Sequence, residues 1–420
     1  MSPKYLAGFL VLSCVASAAT AGPSRAEREL VKIKAALMSA DYRGDISNLA
    51  ALRSRALQLS DDPKLGYLAD YWSGFASWRI VVNNNDGKIP PAEAMAHLTR
   101  AAADFESSLR KKDDFADAWA GAAAVHGWLA AYKHSDEAAM NTEVETFKRL
   151  LNRALELEPS NPRVLWVQAT PSIVLPPERG GNIDRAIELY RKMVDNARPL
   201  TPESPLPDWG KAEGLMSLAN AHLKKSEVQA AADEAGAALR LQPEWHYLRD
   251  ILLPQIHQHD FDYLLGDWEF TATNQQYGKF RGYWSAARLD DANIIDEYRV
   301  VGDGGETYYV TRTLRAYNAR QKQWELVSTE KGSGLQNLGT GQREGAEVHI
   351  EQKFGAGTDN PSLLRIRYYD IHPDRFSWAA DRSADGGKTW IKNFQSIEAH
   401  RIGPSRSLAL TNATATSSKP

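Results

Sequence analysis

Apolar residues recur at helical spacing through the first part of the chain and alternate with polar residues in the last part. Val144, Phe147 and Leu151 fall on one helical stripe, and similar stripes run from Ala26 to about Ile256. A few residues later the composition shifts to Trp, Tyr, Val, Thr and Gly, with alternating patterns and Gly-rich turns. The pattern predicts a multidomain α-then-β fold, with an N-terminal α-helical array followed by a C-terminal antiparallel β-barrel.

The helical part repeats a six-residue ending. Four copies can be recognised: ALELEP at 154–159, ALRLQP at 238–243, and weaker copies at 56–61 and 108–113. This pattern resembles the tetratricopeptide repeat, in which paired helices end in an apolar-x-Pro turn. The endings are not spaced by the 34 residues of that family, and a further degenerate unit is expected at 183–196. The resemblance implies a curved stack of helix pairs whose first helices line a concave surface.

Four tryptophans are candidates for that concave surface: Trp72, Trp78, Trp128 and Trp209. The resemblance implies that such residues contact a protein or peptide partner. The alternative is that each of them is a core residue of the helix stack, because large aromatic side chains are mostly buried.

About eight to ten short strands, separated by Gly, Asp and Asn turns, follow the helical part and suit an antiparallel barrel or sandwich. The opening segment 265–268, Leu-Gly-Asp-Trp, resembles the Gly-x-Trp signature of lipocalin-like (calycin) barrels. Trp284, the acidic pair at 296–297 and the turn at 385–390 resemble a bacterial lipocalin-like family of unknown function, which is distantly similar to the nitrobindins. The resemblance implies a barrel that closes on itself.

The same resemblance supplies the candidates for a ligand site. Trp268 is expected to close one end of the barrel with Arg401 packed across it, a contact of about 0.5–2 kcal/mol. Trp284 and Trp378 are further candidates for lining a site for a small apolar ligand. Nitrobindin-like relatives hold haem through a His on a late strand, and His400 is the candidate for that role. Because neighbours on a strand face opposite sides, His400 and Arg401 cannot both point inward.

The N-terminus is predicted to direct export. Residues 1–21 are typical of a signal peptide, because one charge, Lys4, precedes an apolar run that ends in small residues at Ala21. The single cysteine, Cys14, lies inside this segment, so the cleaved chain has no thiol. Export without cysteine is typical of the bacterial periplasm. We expect a periplasmic or secreted protein, and the alternative is a lipid anchor at Cys14 in the outer membrane.

The rest of the chain divides into three predicted units: helical repeats over 25–256, a barrel over 260–403 and a disordered tail over 404–420. The formal net charge of -3 and the absence of basic runs give no reason to expect nucleic acid as a partner. No integral membrane span, metal site or cofactor is predicted, since His257 and His259 lack supporting ligands at metal-binding spacing. Nucleophile-elbow and phosphate-loop motifs do not occur.

These patterns predict an exported, non-catalytic binding or scaffold protein. Its helical repeats recognise a protein or peptide partner, and its barrel adds a second binding surface. The first alternative is a carrier or sensor that binds a small apolar ligand in the barrel, and the second is a hydrolase or isomerase in the barrel. A wide apolar cavity inside the barrel favours the carrier, whereas a filled interior favours the scaffold.

Overall fold

The structure is a computed structural model that describes residues 22–408. The expected signal peptide with Cys14, and residues 409–420, lie outside the described residues. Within the described chain, eleven α-helices precede eleven β-strands. This order confirms the α-then-β fold class expected from the change in periodicity.

The helices form five consecutive hairpins followed by a short last helix. None of the described helices is long and apolar enough to cross a membrane. A π-helical turn at Leu248–Leu252 leads into the last helix, and α8 covers the degenerate unit expected at 183–196. The bounds are α1 Arg25–Arg43, α2 Ile46–Leu57, α3 Gly66–Val82, α4 Pro91–Lys111, α5 Ala116–Tyr132, α6 Glu137–Leu157, α7 Pro162–Val174, α8 Ile183–Asn196, α9 Lys211–Lys224, α10 Val228–Leu241 and α11 Leu253–His257.

Polar residues at the helix starts explain where several helices begin. Ser24, Asp45 and Asp136 each accept a hydrogen bond from a backbone N–H three residues ahead. Asn182 does the same at the start of α8. These bonds satisfy N–H groups that the first helical turn leaves without partners. Gly44, at φ 67°, ends α1 in the left-handed conformation that glycine adopts without steric cost.

The hairpins stack into a curved array. The first helices of successive hairpins contact one another, α1 with α3, α3 with α5, α5 with α7 and α7 with α9. Among the described residues, contacts between successive second helices are sparser. The first helices therefore lie on the inner, concave side, as expected for stacked helix pairs. Membership in the tetratricopeptide family itself remains a resemblance.

The strands form one antiparallel sheet in chain order, and it closes into a ten-stranded barrel because β1 pairs with both β2 and β10. Full closure leaves no unpaired edge among these ten strands. The bounds are β1 Gly266–Asn274, β2 Gly278–Asp290, β3 Asn293–Val301, β4 Thr307–Asn318, β5 Gln323–Glu330, β6 Gly334–Glu344, β7 Glu347–Phe354, β8 Ser362–Tyr369, β9 Arg375–Ser383, β10 Ile391–Gly403 and β11 Arg406–Ser407.

The segment that follows the barrel departs in part from the expected tail. Its composition predicts disorder from Pro404, yet β11 pairs in parallel with Ala287 and Arg288 of β2. The backbone N–H of Leu408 also donates to the carbonyl of Arg288 at 2.6 Å. Composition fails here because backbone pairing beside a barrel strand does not depend on side-chain hydrophobicity.

The connector between α11 and β1 joins the two halves and plugs one end of the barrel. Phe261 is fully buried in the barrel core. Arg343 of β6 donates to the carboxylate of Asp260 at 2.8 Å and to the side-chain oxygen of Gln229 in α10 at 2.9 Å. The indole of Trp324 donates to the carbonyl of His257 at 3.0 Å. The barrel is therefore anchored to the helical half through buried polar contacts.

Candidate functional site

Trp268 and Arg401 meet at one end of the barrel. They lie opposite each other on β1 and β10, and the Arg401 guanidinium lies 4.1 Å from the centre of the Trp268 ring. The Trp268 indole donates to the carbonyl of Leu264 at 2.8 Å, and Arg401 donates to the carbonyls of Leu265 and Tyr263 at 2.5 and 2.8 Å. This geometry agrees with the closing pair expected from the lipocalin resemblance. Both side chains are occupied in closing the barrel.

His400 lies on the opposite face of the same strand. It is exposed and lies opposite exposed Glu269 of β1, whereas its neighbours Ala399 and Arg401 face inward. The alternation of the strand therefore places the imidazole outside the barrel. The prediction of an interior ligand site that includes His400 is wrong for this residue, and haem ligation from inside the barrel is not available to it.

Trp284 is tied to a buried ion pair inside the barrel. Its indole donates to Asp296 Oδ1 at 2.8 Å, and Arg315 donates to Asp296 Oδ2 at 2.6 Å. Burial opposes the charge on Arg315, but the Asp296 carboxylate outweighs it and raises the pKa of Arg315. Arg315 also donates to the hydroxyl of Tyr368 at 3.2 Å and lies over the Phe261 ring at 4.6 Å. The arrangement holds a guanidinium permanently charged in the core.

Sequence reasoning did not single out Arg315. The signal was present in β4, where Thr311, Thr313, Arg315 and Tyr317 share the inward face while exposed residues alternate with them. A polar residue on the buried face of a strand requires a partner. Asp296, noted only as one of an acidic pair, is that partner.

Aromatic rings fill the interior around this pair. Phe270 stacks on Tyr298 at 4.8 Å, and the ring of Trp284 lies 5.4 Å from Tyr298 and 5.7 Å from Phe376. Gly282 is required beneath the stack, since a Cβ there would lie 2.4 Å from the Phe270 ring. Trp378 is buried in the same core cluster. Trp268, Trp284 and Trp378 are thus brought together, but as parts of a packed core.

Two grooves lie on the outer face of the barrel instead. The larger, of about 600 Å³, is lined by residues of five adjacent strands, among them the exposed apolar Leu314, Val327 and Leu338 and the polar Glu325 and Lys353. The second, of about 430 Å³, is lined mostly by polar residues around His349 and Arg367. The outer surface of the barrel therefore carries an apolar face.

The concave side of the helical array is occupied by a segment of the same chain. Residues 198–208, which we call the groove loop, join α8 to α9 without forming a helix or strand. The loop crosses α1 and α3, and it buries Pro205 and Pro207 while leaving Leu200 and Leu206 exposed.

Lys34 of α1 binds the backbone of the groove loop. The ammonium donates to the carbonyls of Thr201 and Ser204 at 3.2 and 3.0 Å, and it pairs with Asp208 at 2.7 Å. Sequence reasoning missed Lys34. In the sequence, Lys34 stands out as a charged residue on an apolar stripe, because Leu30 and Leu37 flank it at helical spacing. The Lys34 side chain is itself buried.

Trp72 of α3 makes the second contact with the backbone of the groove loop. Its indole donates to the carbonyl of Pro205 at 2.8 Å. The side chain of Trp72 is 0% exposed and that of Trp78 is 1% exposed. The prediction that these two residues line an accessible surface is wrong in this conformation, because the groove loop and neighbouring helices cover them.

Trp209 directly follows the groove loop and inserts into an aromatic pocket. Its ring lies 5.9 Å from Phe75, 6.4 Å from Trp78 and 6.2 Å from Trp166. Its indole donates to the hydroxyl of Tyr71 at 3.2 Å. Trp209 is therefore an anchor within the core rather than a surface contact.

Trp128 stands apart from the other three candidates. It is 37% exposed on α5 and has no ring contact with Trp72, Trp78 or Trp209 among the described aromatic pairs. The sequence set therefore contains three residues that the fold brings together under the groove loop and one that it leaves on the surface.

Buried charges support the floor of the groove. Arg163 of α7 donates to Asp117 at 2.6 Å and to the carbonyl of Trp209 at 3.1 Å. Burial opposes the charge of Arg163, but Asp117 outweighs it and raises the pKa of Arg163. Glu213 accepts from the backbone N–H of Gly210 at 2.8 Å and from Tyr42 at 2.6 Å, and burial raises its pKa. These contacts fix the end at which the groove loop enters α9.

Within residues 22–408, no group of three or more His, Cys, Asp or Glu side chains is placed to hold a metal ion. The buried carboxylates described above are each paired with a cation or a hydroxyl.

No family model matches the chain, and no curated protein matches it by sequence. Solved structures show limited likeness to the chain. The HusA haemophore from Porphyromonas gingivalis is 21% identical with a TM-score of 0.37, covering 49% of this chain and 96% of its own. The S-type phycobiliprotein lyase CPES from Guillardia theta is 10% identical with a TM-score of 0.26, covering 37% of this chain and 97% of its own.

BtubC from P. vanneervenii is 14% identical with a TM-score of 0.24, covering 52% of this chain and 92% of its own. Because all three TM-scores are below 0.5, none of these likenesses defines a ligand or an activity for this chain.

Proposed function

We propose that this chain is a non-catalytic binding protein. Its helical half recognises a loop or peptide segment of a partner protein along the concave face, and its barrel is a rigid second surface. The observation that carries the proposal is the groove loop, a segment without helix or strand that is already seated on the first helices by Lys34 and Trp72. Donors aimed at backbone carbonyls suit a peptide chain, since every residue of a peptide offers a carbonyl.

The barrel interior supports binding at the surface rather than inside. The Arg315–Asp296 pair and the rings around Trp284 fill the core near the connector. An apolar ligand there would have to displace packed rings and approach a buried charge, both of which are costly. The exposed apolar face of Leu314, Val327 and Leu338 is the feature that supports a second recognition surface, because such patches mark interaction sites.

The test uses the full chain and a linker variant, in which residues 199–206 are replaced by Gly and Ser at unchanged length. Each protein is immobilised, and peptides of about twelve residues are selected on it from a random display library. We expect enriched peptides that bind in solution and lose affinity on Lys34→Ala. The matched control is Lys192→Ala, which removes an exposed lysine paired only with Glu188 on α8. Failure of both proteins to enrich any peptide contradicts the proposal.

A further inference from the structure

The groove loop is held by contacts that another peptide can reproduce. Three of its carbonyls accept hydrogen bonds, those of Thr201 and Ser204 from Lys34 and that of Pro205 from Trp72. A carbonyl is common to all residues, so these bonds recognise a peptide backbone rather than a particular sequence. The bound backbone contains a turn, because the N–H of Ser204 donates to the carbonyl of Thr201 at 3.0 Å. Selectivity must come from the remaining contacts of the loop.

Two side-chain features supply that selectivity. Pro205 and Pro207 are buried against the groove, and Asp208 pairs with Lys34 at 2.7 Å. Proline fixes its own φ, so a segment that contains proline loses less entropy when it docks. The buried ammonium of Lys34 requires a negative partner near its carbonyl acceptors. The groove is thus complementary to a turn-containing segment with proline followed by an acid.

The groove loop has features of a segment that can dissociate from the groove. It contains no helix or strand, and its outer side chains, Leu200, Glu203 and Leu206, are exposed. Its own bonds from Thr201 to Asp208 are local and can form away from the groove. At its end, Trp209 stays anchored by its aromatic pocket, and the backbone N–H of Gly210 is bonded to Glu213. Movement of the loop is therefore confined to the residues before Trp209.

We propose that the groove loop is an internal competitor for the partner site, and that the partner segment contains a turn, bears proline and carries an acid at the position of Asp208. This inference rests on the proposed function. Binding of the partner displaces residues 198–208 from Lys34 and Trp72 while Trp209 remains in place. The affinity of the intact chain is then reduced by the fraction of molecules in which the loop occupies the groove.

The experiment measures binding of a labelled peptide with the sequence of residues 198–208 by fluorescence anisotropy. We expect the linker variant to bind it at least about tenfold more tightly than the intact chain, as for a site that is about 90% self-occupied. Lys34→Ala in the linker variant should abolish that gain. A peptide with alanine in place of Asp208 should bind the linker variant more weakly than the unaltered peptide.

A second variant covers the case in which the linker variant does not fold. Asp208→Asn removes the ion pair with Lys34 and leaves the rest of the groove loop in place. We expect faster amide exchange over residues 199–208 and tighter peptide binding than in the intact chain. Equal affinity of intact chain and variants overturns the competitor role but leaves the proposed function standing. If no folded variant binds the peptide and the display library yields no enriched peptide, the proposed function is contradicted as well.

Discussion

The concave groove of the helical half and the interior of the barrel are both filled, but by different kinds of occupant. A loop without regular structure lies in the groove and is held by Lys34 and Trp72. Inward side chains of the strands themselves, such as Trp284 and Arg315, fill the barrel. A side chain on a closed barrel cannot leave without breaking the sheet, whereas a loop can exchange its contacts for those of another peptide. In the proposed function, the helices therefore carry the exchangeable recognition and the barrel is the rigid part.

The strongest expected effect concerns the barrel. Asp296→Asn keeps the shape of the side chain but leaves Arg315 charged and buried without its counter-ion. We expect the free energy of unfolding to fall by about 3–5 kcal/mol. Urea unfolding followed by circular dichroism, with hydrogen exchange of β3 to β5 to locate the loss, measures it. The double variant Asp296→Asn with Arg315→Met should recover most of the loss. A loss below about 1 kcal/mol for Asp296→Asn would show that the interior is not rigidly packed.

A smaller effect tests the anchor of the groove loop. Trp209→Ala empties the aromatic pocket formed with Phe75, Trp78 and Trp166, and we expect a loss of about 3 kcal/mol. Amide exchange over residues 199–208 should rise at the same time. Trp128→Ala is the matched control, since that side chain is 37% exposed and should cost about 1 kcal/mol or less. Equal losses for the two tryptophans would contradict the assignment of Trp209 as the fixed end of the loop.

The smallest effect is a pH dependence of the unfolding free energy, which arises from Glu213 at the fixed end of the loop. Burial raises the pKa of Glu213, which holds Gly210 and Tyr42. The folded state therefore binds a proton more tightly than the unfolded state. The stability linked to this proton is fully present below the unfolded pKa and is lost as pH rises through the folded one.

Comparison with Glu213→Gln isolates the contribution of the Glu213 proton to stability. The unfolding free energy of the intact chain, relative to the variant, should decrease as pH rises above the ordinary range of a glutamate and then become constant. Parallel pH profiles for the two proteins would show that Glu213 does not titrate differently on folding.

Much of the architecture followed from local pattern. A change in hydrophobic period predicts helices first and strands later, and the structure has that order. The lipocalin resemblance implies that Arg401 packs across Trp268, and alternation along β10 then places His400 on the other face. Both inferences depend on residues close in sequence, or on a geometric rule of strands that holds in any sheet.

The exposure of the tryptophans did not follow from local pattern. Trp72, Trp78 and Trp128 all lie on first helices, yet only Trp128 is exposed. Burial of Trp72 depends on where the groove loop runs, and burial of Trp78 depends on the rings of Trp166 and Trp209. All of these partners are distant in the sequence. The pairing of Arg315 with Asp296 was missed for a related reason, since it requires knowing which strands are neighbours.

Periodicity and alternation, which are properties of short stretches of chain, were enough to define the two classes of architecture and the facing of the barrel strands. The self-occupied groove required the folded molecule. Lys34 and Thr201 lie 167 positions apart, and nothing within either stretch indicates the other. Their contact exists because stacking of the helix pairs brings α1 beneath the α8–α9 connection, and a buried ammonium then needs the carbonyls and the carboxylate that the loop provides.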